Sequence, residues 1–159
     1  MTNKYIYFVA NWKMYGGLNS LNSLHKVIDF FKKFRKNKTT KIIYCPPSTL
    51  IRPMAKKLKN SNIEVGAQNC HESETYGAFT GSINSMMLKN VGAKYIIIGH
   101  SENRKLGETN KLINLKIKSA LKSGLKVIFF FFFSLSVKRY IIVVKFFNNQ
   151  IFLVRDYVK

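Results

Sequence analysis

The sequence has 159 residues, 47% of them hydrophobic and 21% charged, which is typical of one soluble globular domain with a sizeable core. Its two cysteines, Cys45 and Cys70, are too few and too far apart for a disulfide framework or a zinc site. The net charge of +20 is the one extreme value.

A basic charge of this size is found in proteins that bind nucleic acids or membrane surfaces. Here the lysines are spread along the helix-like stretches and form no single basic arm with interleaved aromatic residues. This distribution favours a solvated lysine coat in an organism with lysine-rich proteins. We therefore predict neither a nucleic-acid nor a membrane partner.

The N-terminal segment does not have the pattern of a secretory signal. The short apolar run Tyr5–Ala10 is ended at once by Asn11. The longest apolar stretch, Val127–Val137, is well short of the roughly 20 residues that a membrane-spanning helix needs. Together with the cysteine content, this predicts a cytoplasmic protein.

Short apolar runs alternate with longer amphipathic ones along the chain. The apolar runs predict strands at Tyr5–Ala10, Lys41–Cys45, Ile63–Ala67, Tyr95–Gly99 and Lys126–Phe130. Apolar residues three and four apart predict helices at Ser20–Lys36, at Ser48–Lys59, between a Ser85 cap and Gly92, and at Thr109–Ser123.

Strands that alternate with helices at this spacing form a parallel sheet with right-handed crossovers. Both an open doubly wound sheet and a closed barrel have this pattern. The first strand is followed by Asn11, Trp12, Lys13 and Met14 rather than by a glycine-rich phosphate loop, which disfavours the nucleotide-binding form of the open sheet.

The last 30 or so residues break the pattern. Phe129–Phe133 is an unbroken run of phenylalanine, and Gly124 is the last glycine of the chain. We divide the chain into a β/α domain at residues 1–128 and an apolar tail at residues 129–159. Because the pattern breaks here, we interpret the tail as foreign to the fold. Since a run of T in DNA encodes phenylalanine, we attribute the tail to a frameshift, real or from a sequencing error, at the phenylalanine run. A genuine apolar tail that binds a partner or a membrane is the alternative.

Polar and ionisable side chains follow several of the predicted strands. They are Asn11 and Lys13 after the first, Gln68 and Asn69 after the third, and His100, Ser101 and Glu102 after the fourth. The carboxyl ends of parallel strands form one rim, which is where such folds bind ligands. Each residue alone has a structural explanation, and only their shared position indicates a site.

These strand ends also resemble the motifs of one enzyme family. The resemblance rests on Asn11–Met14, on Gly66–Asn69 followed by Gly77–Gly81, and on Ile98–Glu102 with Arg104. Tyr44–Pro47 and Gly107–Glu108 fit as well. In this order and spacing, from about residue 5 to 128, the motifs resemble the triosephosphate isomerase family. The resemblance implies an incomplete (β/α)₈ barrel containing about the first five strands and four helices.

The resemblance implies interconversion of dihydroxyacetone phosphate and glyceraldehyde 3-phosphate by proton transfer through an enediolate, without a cofactor or metal. By motif position, His100 is the neutral electrophile beside a helix N-terminus that begins at Ser101. Lys13 supplies positive charge near the reacting oxygen and the phosphate, and Asn11 is a second donor. Glu102 lies at the position of a semi-buried glutamate near Lys13, with either a proton-relay or a structural role.

The family's long third loop reaches from one subunit into the other, which implies a homodimer. Tyr76 and Thr80 lie in this loop, and Met14 lies in the loop that receives it. Two positions depart from the family pattern, since Ser82 replaces a glutamate and Asn103 replaces an arginine. These two charges commonly pair, so losing both is less disruptive than losing one.

The family's glutamate base follows strand six, and its phosphate-binding loops follow strands seven and eight. The recognisable barrel ends here at strand five, so we expect this chain alone to be inactive. We also expect a piece of five strands to fold poorly, with open edges and an exposed apolar inner face. A non-catalytic remnant that binds phosphate compounds is the main alternative function.

Overall fold

The computed structural model describes residues 6–33, 40–131, 142–146 and 150–154. Five parallel strands form a half-barrel, with helices in the connections. All five agree with the predicted strands to within a residue or so. The strands are β1 (Ile6–Asn11), β2 (Thr40–Cys45), β3 (Ile63–Ala67), β4 (Tyr95–Ile98) and β5 (Lys126–Phe131).

The four predicted helices are present, and a short α4 lies between β4 and the last of them. A 3₁₀ helix (Leu18–Ser23) precedes α1, and the α-helices are α1 (Leu24–Lys33), α2 (Ser48–Leu58), α3 (Ser85–Asn90), α4 (Ser101–Lys105) and α5 (Asn110–Lys122). The end of the first predicted helix, at residues 34–36, lies outside the described residues.

Two helix starts differ from the prediction. The first helix opens as a 3₁₀ turn, in which Ser23 Oγ donates to the Ser20 carbonyl at 2.9 Å. Such local bonds compete with the α-helical ladder. The cap of α3 is Asn84 rather than Ser85, because Asn84 Oδ1 accepts the N–H of Met87 at 2.9 Å.

The alternation of side chains along the strands creates two cores. The larger core lies between the sheet and the helices and contains Ile51, Met54 and Ile96, each fully buried. The smaller core lies on the inner face of the sheet. Its members are at most 4% exposed, namely Ile43, Cys45, Tyr95, Ile97, Ile128 and Phe130. The expectation of an exposed inner face is therefore wrong for β2, β4 and β5.

Two further strands extend the sheet beyond the predicted half-barrel. β6 (Ile142–Phe146) pairs antiparallel with β5, and β7 (Gln150–Val154) pairs antiparallel with β6. The seven strands follow chain order, and β7 comes within 8 Å of β1 between Cα atoms. The sheet therefore curls towards its own first strand, which agrees with the burial of the inner face. The boundary that we placed after residue 128 remains a prediction.

Candidate functional site

The predicted rim residues lie at the carboxyl ends of β1, β3 and β4. Asn11 is the last residue of β1, and its Oδ1 accepts the N–H of Lys13 at 3.0 Å. Lys13 has φ of 56°, in the left-handed region that side chains other than glycine rarely adopt. The turn after β1 therefore has a conformation that its surroundings must impose.

Gln68 holds this turn in place. Its Nε2 donates to the carbonyl oxygens of Lys13, at 2.7 Å, and of Cys45, at 2.8 Å. The N–H of Trp12 donates to the same Cys45 carbonyl at 3.0 Å. The turn is thus tied to the ends of both β2 and β3, and this fixes the direction in which the Lys13 side chain leaves the backbone.

Lys13 and Glu102 form an ion pair across the rim, with Nζ 2.5 Å from Oε1. The Lys13 side chain is 28% exposed and that of Glu102 is 60% exposed. Glu102 is thus more exposed than the semi-buried position in the family would imply. The hydrogen bond from Lys13 lowers the pKa of the Glu102 carboxyl, more than burial raises it.

His100 is 5% exposed and caps the N-terminus of α4. Its Nδ1 accepts the N–H of Glu102 at 3.2 Å. A ring nitrogen that accepts an N–H carries no proton, which assigns the proton of the neutral ring to Nε2. The ring packs against Phe130, with 5.0 Å between centroids, and the second carboxylate oxygen of Glu102 is 3.5 Å from Nδ1.

The turn before His100 depends on Gly99 and Arg104. Gly99 has φ of +76°, and a Cβ there would lie 2.9 Å from the ring of Phe129 and 3.2 Å from the carbonyl oxygen of Phe130. Arg104 Nε donates to the Gly99 carbonyl at 2.9 Å, and its guanidinium also donates to Asn110 Oδ1 at 2.7 Å. Ser101, the first residue of α4, is half-buried.

The loop between β3 and α3, residues 68–84, projects from the rim, and we call it the interface loop after the subunit contact that the family resemblance implies. At its tip Tyr76 is 66% exposed, Phe79 is 51% exposed and Thr80 is exposed. Met14, in the turn after β1, is 94% exposed. The loop encloses an open cavity of about 160 Å³ whose lining includes His71, Tyr76 and Phe79.

Sequence reasoning missed a second charged cluster, at the base of the interface loop. Lys116 Nζ lies 2.6 Å from Glu108 Oε1, and the two side chains are only 9% and 4% exposed. Lys116 also donates to Asn69 Oδ1 at 3.1 Å. The available signal was a lysine between Ile113 and Ile117 on the apolar face of α5, where a charge requires a partner.

Within the part of the chain that the structure describes, no group of three or more His, Cys, Asp or Glu residues is arranged to hold a metal ion. In the same part, no helix is long and apolar enough to cross a membrane.

The fold and rim define a β/α half-barrel with lysine, histidine and glutamate side chains at the carboxyl ends of its strands. Residues 6–150 match the family model described as triosephosphate isomerase. The chain belongs to the triosephosphate isomerase family.

Among its relatives, triosephosphate isomerase of Carboxydothermus hydrogenoformans is 42% identical over 125 residues, which cover 77% of this chain and 48% of that protein. Triosephosphate isomerase of Wolbachia sp. subsp. Brugia malayi is 45% identical, covering 74% of this chain and 47% of that protein. The chain thus spans about half the length of the curated relatives it matches.

The crystal structure of triosephosphate isomerase from Bartonella henselae has the same fold over this length. It superposes with a TM-score of 0.70 at 34% identity, covering 78% of this chain and 49% of that one.

Proposed function

We propose that this chain carries the electrophilic half of a triose-phosphate isomerase site. The substrate pair is dihydroxyacetone phosphate and D-glyceraldehyde 3-phosphate, and the reaction is the proton transfer of glycolysis and gluconeogenesis in the cytoplasm. The observation that carries the proposal is the convergence of Lys13, His100 and Glu102 at one rim, within the residues that match the family.

In the proposed mechanism, the Nε2–H of His100 donates to the substrate carbonyl oxygen as negative charge develops on it. The contact from the Glu102 N–H to Nδ1 supports this role, because it keeps the proton on Nε2. Lys13 supplies a fixed positive charge, and Asn11 shapes the turn that carries it. Glu102 holds the Lys13 ammonium at the rim until the anionic substrate binds.

We further propose that the chain on its own does not turn substrate over. By the family resemblance, the base, lid and phosphate-binding loops follow strands six to eight, and the matched residues make up only 48% of the Carboxydothermus hydrogenoformans relative. A positioned base alone is worth about 10²–10⁴ in rate.

Two measurements on the purified chain test this proposal. Titration with dihydroxyacetone phosphate should shift the ¹⁵N resonances of the His100 ring. Lys13→Met should weaken this binding at least tenfold. Lys118→Met, on the exposed side of α5, is the control and should leave the binding unchanged. A coupled assay should show no turnover above background. Unperturbed His100 resonances would refute the site, and measurable turnover would refute the inactivity. Binding without turnover is the expected result. The alternative function, a non-catalytic remnant that binds phosphate compounds, predicts the same result.

We also propose that the chain forms a homodimer in which the interface loop of one copy docks near Met14 of the other. Large apolar side chains at 94% (Met14), 79% (Tyr15) and 66% (Tyr76) exposure support this assignment. Met14→Glu should shift sedimentation equilibrium towards the monomer. Leu106→Glu is the matched control, since Leu106, directly after α4, is 87% exposed. A chain that stays monomeric at every concentration would refute the dimer.

A further inference from the structure

The side of α5 that faces the interface loop carries a row of polar residues. Lys116, Ser119 and Lys122 are three positions apart, which places them in a row along one side of a helix. We call them the α5 ridge. Each contacts the segment at residues 69–74, which we call the first arm of the interface loop; the second arm is the segment at residues 81–84 that leads into α3. Lys116 donates to Asn69 Oδ1 at 3.1 Å, Ser119 Oγ donates to the Ser73 carbonyl at 3.2 Å, and Lys122 forms an ion pair with Glu74.

Ser119 joins the two arms of the loop at its base. Ser85, directly after the second arm, donates its hydroxyl to the Ser119 carbonyl at 2.9 Å, and the two hydroxyl oxygens are 2.8 Å apart. Both serines are 1% exposed. The arms are also tied to each other, since the N–H of His71 donates to the Ile83 carbonyl at 2.8 Å. The loop is therefore closed at its base from within a single chain.

Lys116 is the anchor at the β3 end of the ridge. Its ion pair with Glu108 is buried, and among the described residues Glu108 Oε2 has no hydrogen-bond partner. A buried carboxylate with one unpartnered oxygen is stabilised mainly by its ion pair. The Glu108 carboxylate therefore holds the Lys116 ammonium in place beside Asn69. The Lys122–Glu74 pair is exposed at 71% and 42% and contributes little. The contacts that hold the interface loop against α5 therefore become weaker along the ridge from Lys116 to Lys122.

We propose that Lys116, Ser119 and Lys122 are positioning residues that order the interface loop before a partner binds. The tip of the loop stays exposed while its base is fixed, so the loop is a preformed docking arm that meets a second copy of the chain with little rearrangement. The effect on dimerisation rests on the dimer proposed above. The ordering of the loop in the isolated chain does not.

Hydrogen exchange on the full chain tests the ordering. Ser119→Ala removes the hydroxyl that contacts the Ser73 carbonyl and the Ser85 hydroxyl, keeps the bond from Ser85 to the Ser119 carbonyl, and leaves no buried charge unpaired. Amides of residues 71–83 should then exchange roughly tenfold faster, while those of β2 to β4 keep their protection. Lys122→Ala should accelerate them less than about twofold. Lys118→Ala, an exposed lysine on the same helix, is the control. Equal exchange in Ser119→Ala and Lys118→Ala would overturn the proposal.

The dimer dissociation constant supplies a readout that a general loss of stability would not change. Ser119→Ala should raise it roughly tenfold relative to Lys118→Ala when both are measured well below their melting temperatures, where each chain is folded. An unchanged dissociation constant alongside faster loop exchange would overturn the preformed arm. If the chain remains monomeric, the dimer proposal fails and the exchange experiment still decides whether the ridge orders the loop.

Discussion

Two lysine–glutamate ion pairs in this molecule have almost equal N–O distances but differ in their exposure to solvent. At the rim, Lys13 and Glu102 are 2.5 Å apart with side chains 28% and 60% exposed. At the base of the interface loop, Lys116 and Glu108 are 2.6 Å apart but only 9% and 4% exposed. Water competes for the first pair and is excluded from the second. The first can therefore open for an anionic ligand, whereas breaking the second leaves a bare charge in the core.

Lys116→Met is the sharpest way to test this difference, and the effect should be the largest. It removes the cation and leaves the buried Glu108 carboxylate uncompensated, so we expect a loss of about 3–5 kcal/mol in the free energy of unfolding. Urea denaturation measures it, with Lys118→Met as the control. The double change Glu108→Gln with Lys116→Met should recover part of the loss, because it removes both charges. A loss below about 1 kcal/mol would contradict the buried pair.

The backbone of the rim should be the next most sensitive feature. Gly99→Ala places a Cβ 2.9 Å from the Phe129 ring, on a residue with φ of +76°. The left-handed conformation alone costs about 1–2 kcal/mol for a residue with a side chain. Gly17→Ala is the matched control, since nothing lies within 4 Å of its Cβ position. Equal stability of the two variants in thermal unfolding would show that the turn before His100 tolerates a side chain.

The rim ion pair should matter much less for stability. Glu102→Gln removes an exposed partner, so we expect a change below about 1 kcal/mol. Glu108→Gln, the same change at the buried pair, should cost clearly more. Urea denaturation of the two variants side by side makes the comparison direct. Equal losses in the free energy of unfolding would mean that solvent exposure does not determine how much each ion pair contributes to stability.

The smallest effect should be a pH dependence at the rim. The hydrogen bond from Lys13 lowers the pKa of Glu102. A carboxyl with a lowered folded-state pKa stabilises the fold above its unfolded pKa, about 4.3, and that stability is lost as the pH falls through the folded value. Lys13→Met should therefore raise the Glu102 pKa in an NMR titration. An unchanged titration would show that the pair does not persist in solution.

Much of the rim could be predicted from the sequence, because strand ends are easy to locate. The five apolar runs correspond to β1 to β5, and the polar residues that follow them meet where parallel strands end together. Their chemical roles remain proposals. The helix faces were predicted less well. Ile113, Ile117 and Leu121 are four apart in the sequence, which predicts one apolar face of α5, but Leu121 is 42% exposed and Ala120 is buried instead. Residues four apart drift around a helix of 3.6 residues per turn, so a face cannot be extended indefinitely at that spacing.

The sequence by itself determined the order of the β/α units and the polar residues at one rim, because both depend on local periodicity and on motifs that are contiguous in the chain. Only the tertiary structure decided that Lys116 is buried with Glu108, that α5 clamps the interface loop, and that the inner face is covered. These features join residues far apart in the chain. Whether a lysine lies in water or beside a buried carboxylate depends on what folds against it, and burial sets the energetic value of the same ion pair.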